Sequence, residues 1–403
     1  MNLPCRPVDR DSGLAFARRV ALVAGKGSRA WDVHTRGRVL ADEGRDVIFL
    51  SVGDPDFETP APIVEAAVGA LRAGRTHYTW MGGIPPLREA IAARYRARGI
   101  AVSADRIMVT PGAQNALFAT MLCLVEAGDE VIVPEPAYVT YEAVVGATGA
   151  RMVTVPLDGE RGFHLDPSRV AAAVGPRTRA VLLNSPHNPT GAVIGEEALG
   201  ALAAICRDRG LWLVSDEVYA TLTYEVPHRS PLALADMAGR TAVVDSLSKS
   251  YAMSGWRLGW VVAPAALMPH LEALSQCMLY GCPPFIQDAA VVALTHEFAE
   301  IEAMRAAFRA RRDRVVGRLN AMPYLGCRPP EAGMFAMLDV RATGLSAHDF
   351  AFRLVETEGV SLLPGDGFGP SAEGYVRLSL TAPSEVLDAA CDRIARFVAG
   401  LNR

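Results

Sequence analysis

Hydrophobic and polar positions follow two rhythms along the middle of the chain. Short apolar runs lie at residues 106–110, 130–133, 151–155, 180–183, 211–214, 241–244 and 258–262, and each predicts a buried strand. Helical spacing of apolar residues separates the earlier runs, at 112–125, 138–146, 166–174 and 196–209, with Asp166 placed as a helix cap. Strands that alternate with helices predict an α/β fold with a largely parallel sheet. Such sheets collect ligands at the carboxyl ends of their strands.

Upstream, residues 1 to about 45 read as helical and stop at Gly44. A strand at 47–52, a turn at Gly53-Asp54-Pro55-Asp56-Phe57, and helices at 62–73 and 85–99 follow. An aromatic loop, His77 to Gly83, separates the two helices. The last third changes pattern, with a long helix at 298–321, short strands at 334–340, 360–363 and 375–380, and helices at 347–358 and 384–399. This predicts a second, smaller α+β domain.

Composition narrows the class. A chain of 403 residues, half of them hydrophobic and 21% charged, is ordinary for a large soluble enzyme. A formal net charge of −4 provides no electrostatic case for nucleic acid or an anionic membrane. The Arg-rich segment 305–318 reads as a solvated helix face. Seven cysteines, odd in number and with no CxxC pair, suit a reducing cytoplasm. The N-terminus lacks the apolar core of a signal peptide, no apolar run is long enough for a membrane span, and no Cys/His spacing suggests a metal.

Lysine usage brings in chemistry. The chain has two lysines, Lys26 and Lys249, among 40 basic residues. Arginine does nearly all the charge work, but it cannot form a Schiff base in lysine's place because its guanidinium stays protonated. Lys249 sits in a turn between two expected strands, flanked by Ser246, Ser248 and, eight residues on, Arg257. Two hydroxyls and a guanidinium fork can hold a phosphate. An amine beside a phosphate site suggests a phosphorylated aldehyde cofactor, pyridoxal 5'-phosphate. Other strand ends carry matching groups. Gly112-Ala113-Gln114 opens a helix whose free N–H groups suit a phosphate. Asn188 lies between two prolines, Asp216 and Tyr219 follow a buried strand, and Arg377 stands inside an apolar strand. A buried carboxylate needs a cation or hydrogen bonds, and a buried arginine needs an anion, either an acid of the chain or a substrate carboxylate. His187 is left out as a structural loop residue, and Gly365 to Gly369 lacks the context for dinucleotide binding.

In this order, Gly53 to Phe57, Tyr78, Gly112 to Gln114, Tyr138, Asn188-Pro189-Thr190-Gly191, Asp216 with Tyr219, Ser246 to Lys249, Arg257 and Arg377 resemble the class I and II aminotransferases of fold type I. The resemblance implies a large, mostly parallel seven-stranded sheet domain at 46–291, flanked by helices. It also implies a discontinuous small domain at 1–45 and 292–403. Pyridoxal 5'-phosphate is implied as a Schiff base on Lys249, with pyridoxamine 5'-phosphate as the amino-carrying form. Asp216 would pair with the pyridine nitrogen, and Asn188 and Tyr219 would bind the phenolic oxygen. Tyr138 would stack on the ring. Gly112, Ala113, Gln114, Ser246, Ser248 and Arg257 would hold the phosphate. Tyr78 would reach the cofactor of a second subunit, which implies a homodimer with shared sites. Arg377, with Gly53 and Asn188 close by, would clamp the substrate α-carboxylate.

The amino donor is read from smaller signs. Cys277 stands about where one aspartate-specific branch has an arginine from the partner, which weakens a dicarboxylate substrate. The stretches 30–34, 276–281 and 333–346 look like arginine–pyruvate transaminases. The expected substrates are therefore arginine or another guanidino amino acid and a 2-oxo acid such as pyruvate, with Asp32 as the carboxylate for the guanidinium. A cyclic guanidino amino acid of the enduracididine type, aromatic or aspartate donors, and lyase, decarboxylase or oxidase chemistry stay open as alternatives. A regulator with an aminotransferase-like domain would carry a DNA-binding domain before these motifs, and the stretch before Gly53 is too short for one.

Overall fold

The computed structural model describes residues 13–17, 19–24 and 31–401. The helical readings of 1–12 and 25–30 lie outside the described residues, as does Lys26. The strands are β1 (Ile48–Phe49), β2 (Ile107–Thr110), β3 (Glu130–Glu135), β4 (Arg151–Pro156), β5 (Thr178–Asn184), β6 (Trp212–Asp216), β7 (Thr241–Ser246), β8 (Gly259–Val262), β9 (Gly326–Cys327), β10 (Phe335–Asp339), β11 (Val360–Ser361), β12 (Leu363–Pro364) and β13 (Tyr375–Ser379).

A seven-stranded sheet runs in the order β2-β8-β7-β6-β5-β3-β4. Its strands are parallel except β8, which is antiparallel to both β2 and β7. The central strands are buried on both faces, which explains why they read as unbroken apolar runs. The edge strand β4 is largely exposed and ends in Pro156, a residue an edge tolerates because it needs no ladder donor.

A four-stranded antiparallel sheet, β12-β13-β10-β9, forms the second body, and β1 pairs in parallel with β11. Val33 and Leu40 of the helix Asp32–Asp42, together with Ile48 and Leu50, share one apolar core with Phe308, Phe350, Leu378 and Ile394. The early segment is thus built into the same core as the C-terminal third. Among the described residues no helix is long and apolar enough to cross a membrane.

Five features depart from the sequence reading, the first being that residues 13–17, expected as helical, carry no helix. The strand expected at 47–52 shrinks to β1. Leu50 N–H then bonds the Ser361 carbonyl and Ser379 N–H bonds the Leu50 carbonyl, so the extended path continues without a ladder. The helix expected from Tyr138 begins at Tyr141. Two helices were not foreseen, Met268–Met278 and Pro284–Thr295. The second buries Gln287, Ala289, Ala290, Ala293 and Leu294, and its apolar residues are not confined to one stripe, so helical periodicity is absent. Finally, the Arg-rich helix Ala299–Asn320 is not simply solvated. Arg311 and Arg312 are buried, and Arg312 forks onto Glu225 at 2.7 and 2.8 Å.

Candidate active site

The carboxyl ends of β2, β5, β6 and β7 meet at one edge of the large sheet. Thr110 and Ser246 are both in register with Gly259, and Asn184 is in register with Asp216. Residues just beyond these ends therefore converge.

Beyond β7, the Ser246 hydroxyl accepts from the Ser248 N–H at 3.3 Å and caps a single helical turn, Leu247–Ser250. This helical turn, expected as a turn between two strands, carries Lys249. Its Nζ donates to the Gly53 carbonyl at 2.8 Å and lies 4.0 Å from Asp54 Oδ1. Burial lowers the amine's pKa, and the Arg257 and Arg377 charges push the same way against Asp54. Gly53 is required to be bare, because a Cβ there would meet Phe335 Cζ at 2.1 Å.

Asp216 ends β6 and is buried. Its Oδ2 accepts from the Tyr141 hydroxyl at 2.7 Å and its Oδ1 from Val218 N–H at 3.3 Å. Burial raises its carboxyl to about 6, against the lowering effect of those bonds. The Asn184 side chain donates to the Asp216 carbonyl at 3.0 Å and accepts Asn188 N–H at 2.8 Å, so the two loops are stitched together.

Asn188 links two further groups. Its Nδ2 lies 3.4 Å from the Tyr219 hydroxyl, and its Oδ1 accepts from Arg377 Nη1 at 3.0 Å. Arg377 is 4% exposed. Nη2 donates to the Ser51 carbonyl at 2.7 Å, and the guanidinium lies 4.0 Å from the Phe335 ring centre. Burial lowers it to about 10, and its Nε has no hydrogen-bond partner. No carboxylate pairs with this cation among the described residues. It is poised for an anion from outside the chain.

Beside the turn of Lys249, Gly112 has φ +84° and begins the helix Ala113–Leu124 with no side-chain cap. A Cβ there would lie 2.6 Å from Arg257 Nη2. Arg257 therefore lies against the start of that helix, and Ser246, in register with Gly259, ends β7 beside it. Gln114 accepts from Thr140 at 3.2 Å. Tyr138 packs edge-on against Tyr141, ring centres 5.6 Å apart, and burial raises its phenol.

Two expected residues stand outside this cluster. Tyr78 is 87% exposed and meets Tyr280, ring centres 5.7 Å apart. Asp32 is exposed in the first turn of the helix Asp32–Asp42 and caps nothing. That turn does approach the site, because His34 Nδ1 lies 2.8 Å from Ser51 Oγ. His187, left aside above, is buried on Thr190 at 2.7 Å, and burial lowers it to about 4.

Residues 45–394 match the family described as aminotransferase class I and II. The chain belongs to the class I and II aminotransferases. Arginine–pyruvate transaminase AruH of Pseudomonas aeruginosa is 54% identical over 94% of this chain and 97% of its own length. An aspartate aminotransferase of Pyrococcus horikoshii is 36% identical over 96% and 97%. Among solved structures, a single mutant of Thermus thermophilus aspartate aminotransferase superposes with TM-score 0.90 at 37% identity, covering 94% of this chain and 99% of that one. The aspartate aminotransferase of Rhizobium meliloti superposes with TM-score 0.91 at 32% identity, covering 96% and 99%. The α/β architecture is fold type I.

This aminotransferase belongs to a pyridoxal 5'-phosphate family, and its residues fit that group. A buried acid ends β6, a buried amine follows β7 at the same edge of the sheet, and an uncapped helix start lies beside Arg257. The sequence reading missed three contributors: Tyr141, Asn184 and Ser51. Tyr141 carried a signal, since a phenol three residues after Tyr138 in an apolar helix needs a buried partner.

Proposed function

We propose that this aminotransferase moves the amino group of L-arginine, or another guanidino amino acid, to a 2-oxo acid such as pyruvate. The identity of 54% with an arginine–pyruvate transaminase over nearly both full lengths carries this reading. The aspartate aminotransferase of Pyrococcus horikoshii, of similar coverage, reaches 36%. The cofactor, when bound, supplies an electron-withdrawing ring next to the substrate Cα–H bond.

The chain's own residues supply the rest. Lys249 would carry the cofactor covalently and, as an amine freed by the substrate, would take the substrate Cα proton and hand it on as general base and then acid. Its buried, lowered amine favours the neutral form this needs. Asp216, held by Tyr141, would keep the ring nitrogen protonated. Asn188 and Tyr219 would hold the phenolic oxygen, and Tyr138 would cover one ring face. Gly112, Ala113, Gln114, Ser246, Ser248 and Arg257 would hold the phosphate. Arg377, with Asn188 and Gly53 beside it, would grip the α-carboxylate, using the free Nε.

Asp32 is our candidate for the guanidinium. L-Arginine added without oxygen is expected to convert the lysine-bound cofactor absorbance to that of pyridoxamine 5'-phosphate, and pyruvate to reverse it. Asp32→Ala is expected to weaken arginine much more than alanine as donor. No conversion by arginine removes the substrate; equal effects on both donors remove Asp32. Failure of every amino donor would instead point to a lyase, decarboxylase or oxidase.

Two structural readings accompany this one. Tyr78, Trp80 and Tyr280, 87%, 61% and 55% exposed, form an aromatic surface suited to a second copy of the chain, whose cofactor Tyr78 would reach. Tyr78→Asp is expected to shift the sedimentation coefficient from dimer towards monomer; an unchanged monomer in both proteins rules the dimer out. We divide the chain into a large domain at 46–291 and a small one at 1–45 and 292–403, and place the enzyme in the cytoplasm. The shared core of Val33 and Leu40 with the C-terminal third supports the discontinuous small domain.

A further inference from the structure

Arg311 lies on the helix Ala299–Asn320 and is 8% exposed. Its fork meets Asp56 squarely, Nη1 to Oδ1 at 2.6 Å and Nη2 to Oδ2 at 2.9 Å. Nη1 also donates to the Leu380 carbonyl at 3.2 Å. The guanidinium sits 4.9 Å from the Phe57 ring centre and 5.5 Å from that of Phe308. The sequence reading assigned this residue to a solvated face.

What the fork joins is informative. Asp56 closes the loop that starts at Ser51. Within that loop the Ser51 carbonyl accepts from Arg377 and the Gly53 carbonyl accepts from Lys249. Leu380 lies three residues beyond Arg377, just past the end of β13. One guanidinium thus clamps the loop that touches Lys249 to the strand that carries Arg377. We propose that Arg311 is a positioning residue that sets the separation between Arg377 and the Gly53–Lys249 pair, and with it the presentation of the substrate Cα to Lys249.

The proposal rests on Arg377 and Lys249 having the roles given above. Its physical basis is the planar, two-point hold. A lysine in this place keeps the charge but makes one contact, so the loop can slide. A displacement of about 1 Å at a reacting centre can cost about 10²-fold.

The test uses Arg311→Lys and Asp56→Asn as cofactor-loaded enzymes; the second keeps the arginine should the first fold poorly. Both are expected to lose at least about 10-fold in kcat/KM for amino donor and 2-oxo acid alike, with kcat lowered as well as KM raised. Propanoate, which has a carboxylate but no amine to react, is expected to bind more weakly by a similar factor in calorimetry. Wild-type KM and propanoate affinity in both variants would overturn the proposal. So would losses confined to cofactor release and thermal stability. If Arg377→Lys leaves propanoate binding untouched in the otherwise unaltered enzyme, the underlying assignment of Arg377 has failed instead.

Discussion

Lys249→Arg is expected to leave amino transfer at less than about 10⁻⁴ of the wild-type kcat/KM. The substitution keeps a positive charge of similar reach at the site, so electrostatics alone cannot account for the loss. What disappears is a deprotonatable primary amine, which in the proposed mechanism serves once as the covalent anchor and again as the proton carrier. The only other lysine in the chain is Lys26, so the sequence holds few amines that could substitute. Single-turnover absorbance measurements with arginine give the rate directly. Activity above about a hundredth of wild type, a loss no greater than a modest acid–base contribution, would show that Lys249 is not the reacting amine.

Asp216→Asn is expected to act in opposite directions on stability and on activity. In the cofactor-free protein, burial raises this carboxyl from 3.8 to about 6. Between those values the folded chain holds a proton that the unfolded chain has released. Stability therefore falls as pH rises from about 4 to about 6 and stays lowered above that. A shift of about two units corresponds to about 3 kcal/mol as an upper bound. Asn, with no charge to bury, is expected to recover up to that amount at pH 7 in urea unfolding, and nothing below about pH 4. With cofactor present the same change would remove the proposed partner of the ring nitrogen, and kcat is expected to fall by about 10²-fold or more. Identical pH profiles of stability for the two cofactor-free proteins would contradict the buried-charge account.

Much of this was legible because burial leaves marks in sequence. Strands covered on both faces read as unbroken apolar runs, and polar groups stand out where those runs stop. Asp216 and Asn188 stand out in this way, whereas Lys249 stands out as one of two lysines and Arg377 as a charge inside an apolar run. Strand direction left no such mark: the run at 258–262 looks like its neighbours, yet β8 is reversed. The helix Pro284–Thr295 was invisible because it lacks the polar stripe that periodicity requires. Arg311 misled because pattern alone cannot distinguish a solvated arginine from one paired with an acid that lies 255 residues away. Tyr141 was overlooked because its hydroxyl finds Asp216 from another element, 75 residues away.

The reversed strand also bears on how the chain is synthesised. β2 is an edge strand whose only neighbour in the sheet is β8, and Ile107 pairs with Val262, 155 residues later. On the ribosome β2 thus leaves the exit tunnel long before its partner exists. The helix start at Gly112 follows directly from β2, so one wall of the proposed phosphate cradle waits on the most distant pairing in the large sheet. Contacts of such high sequence separation form slowly. A nascent chain stalled before residue 259 lacks the strand with which β2, followed by that helix start, pairs in the sheet.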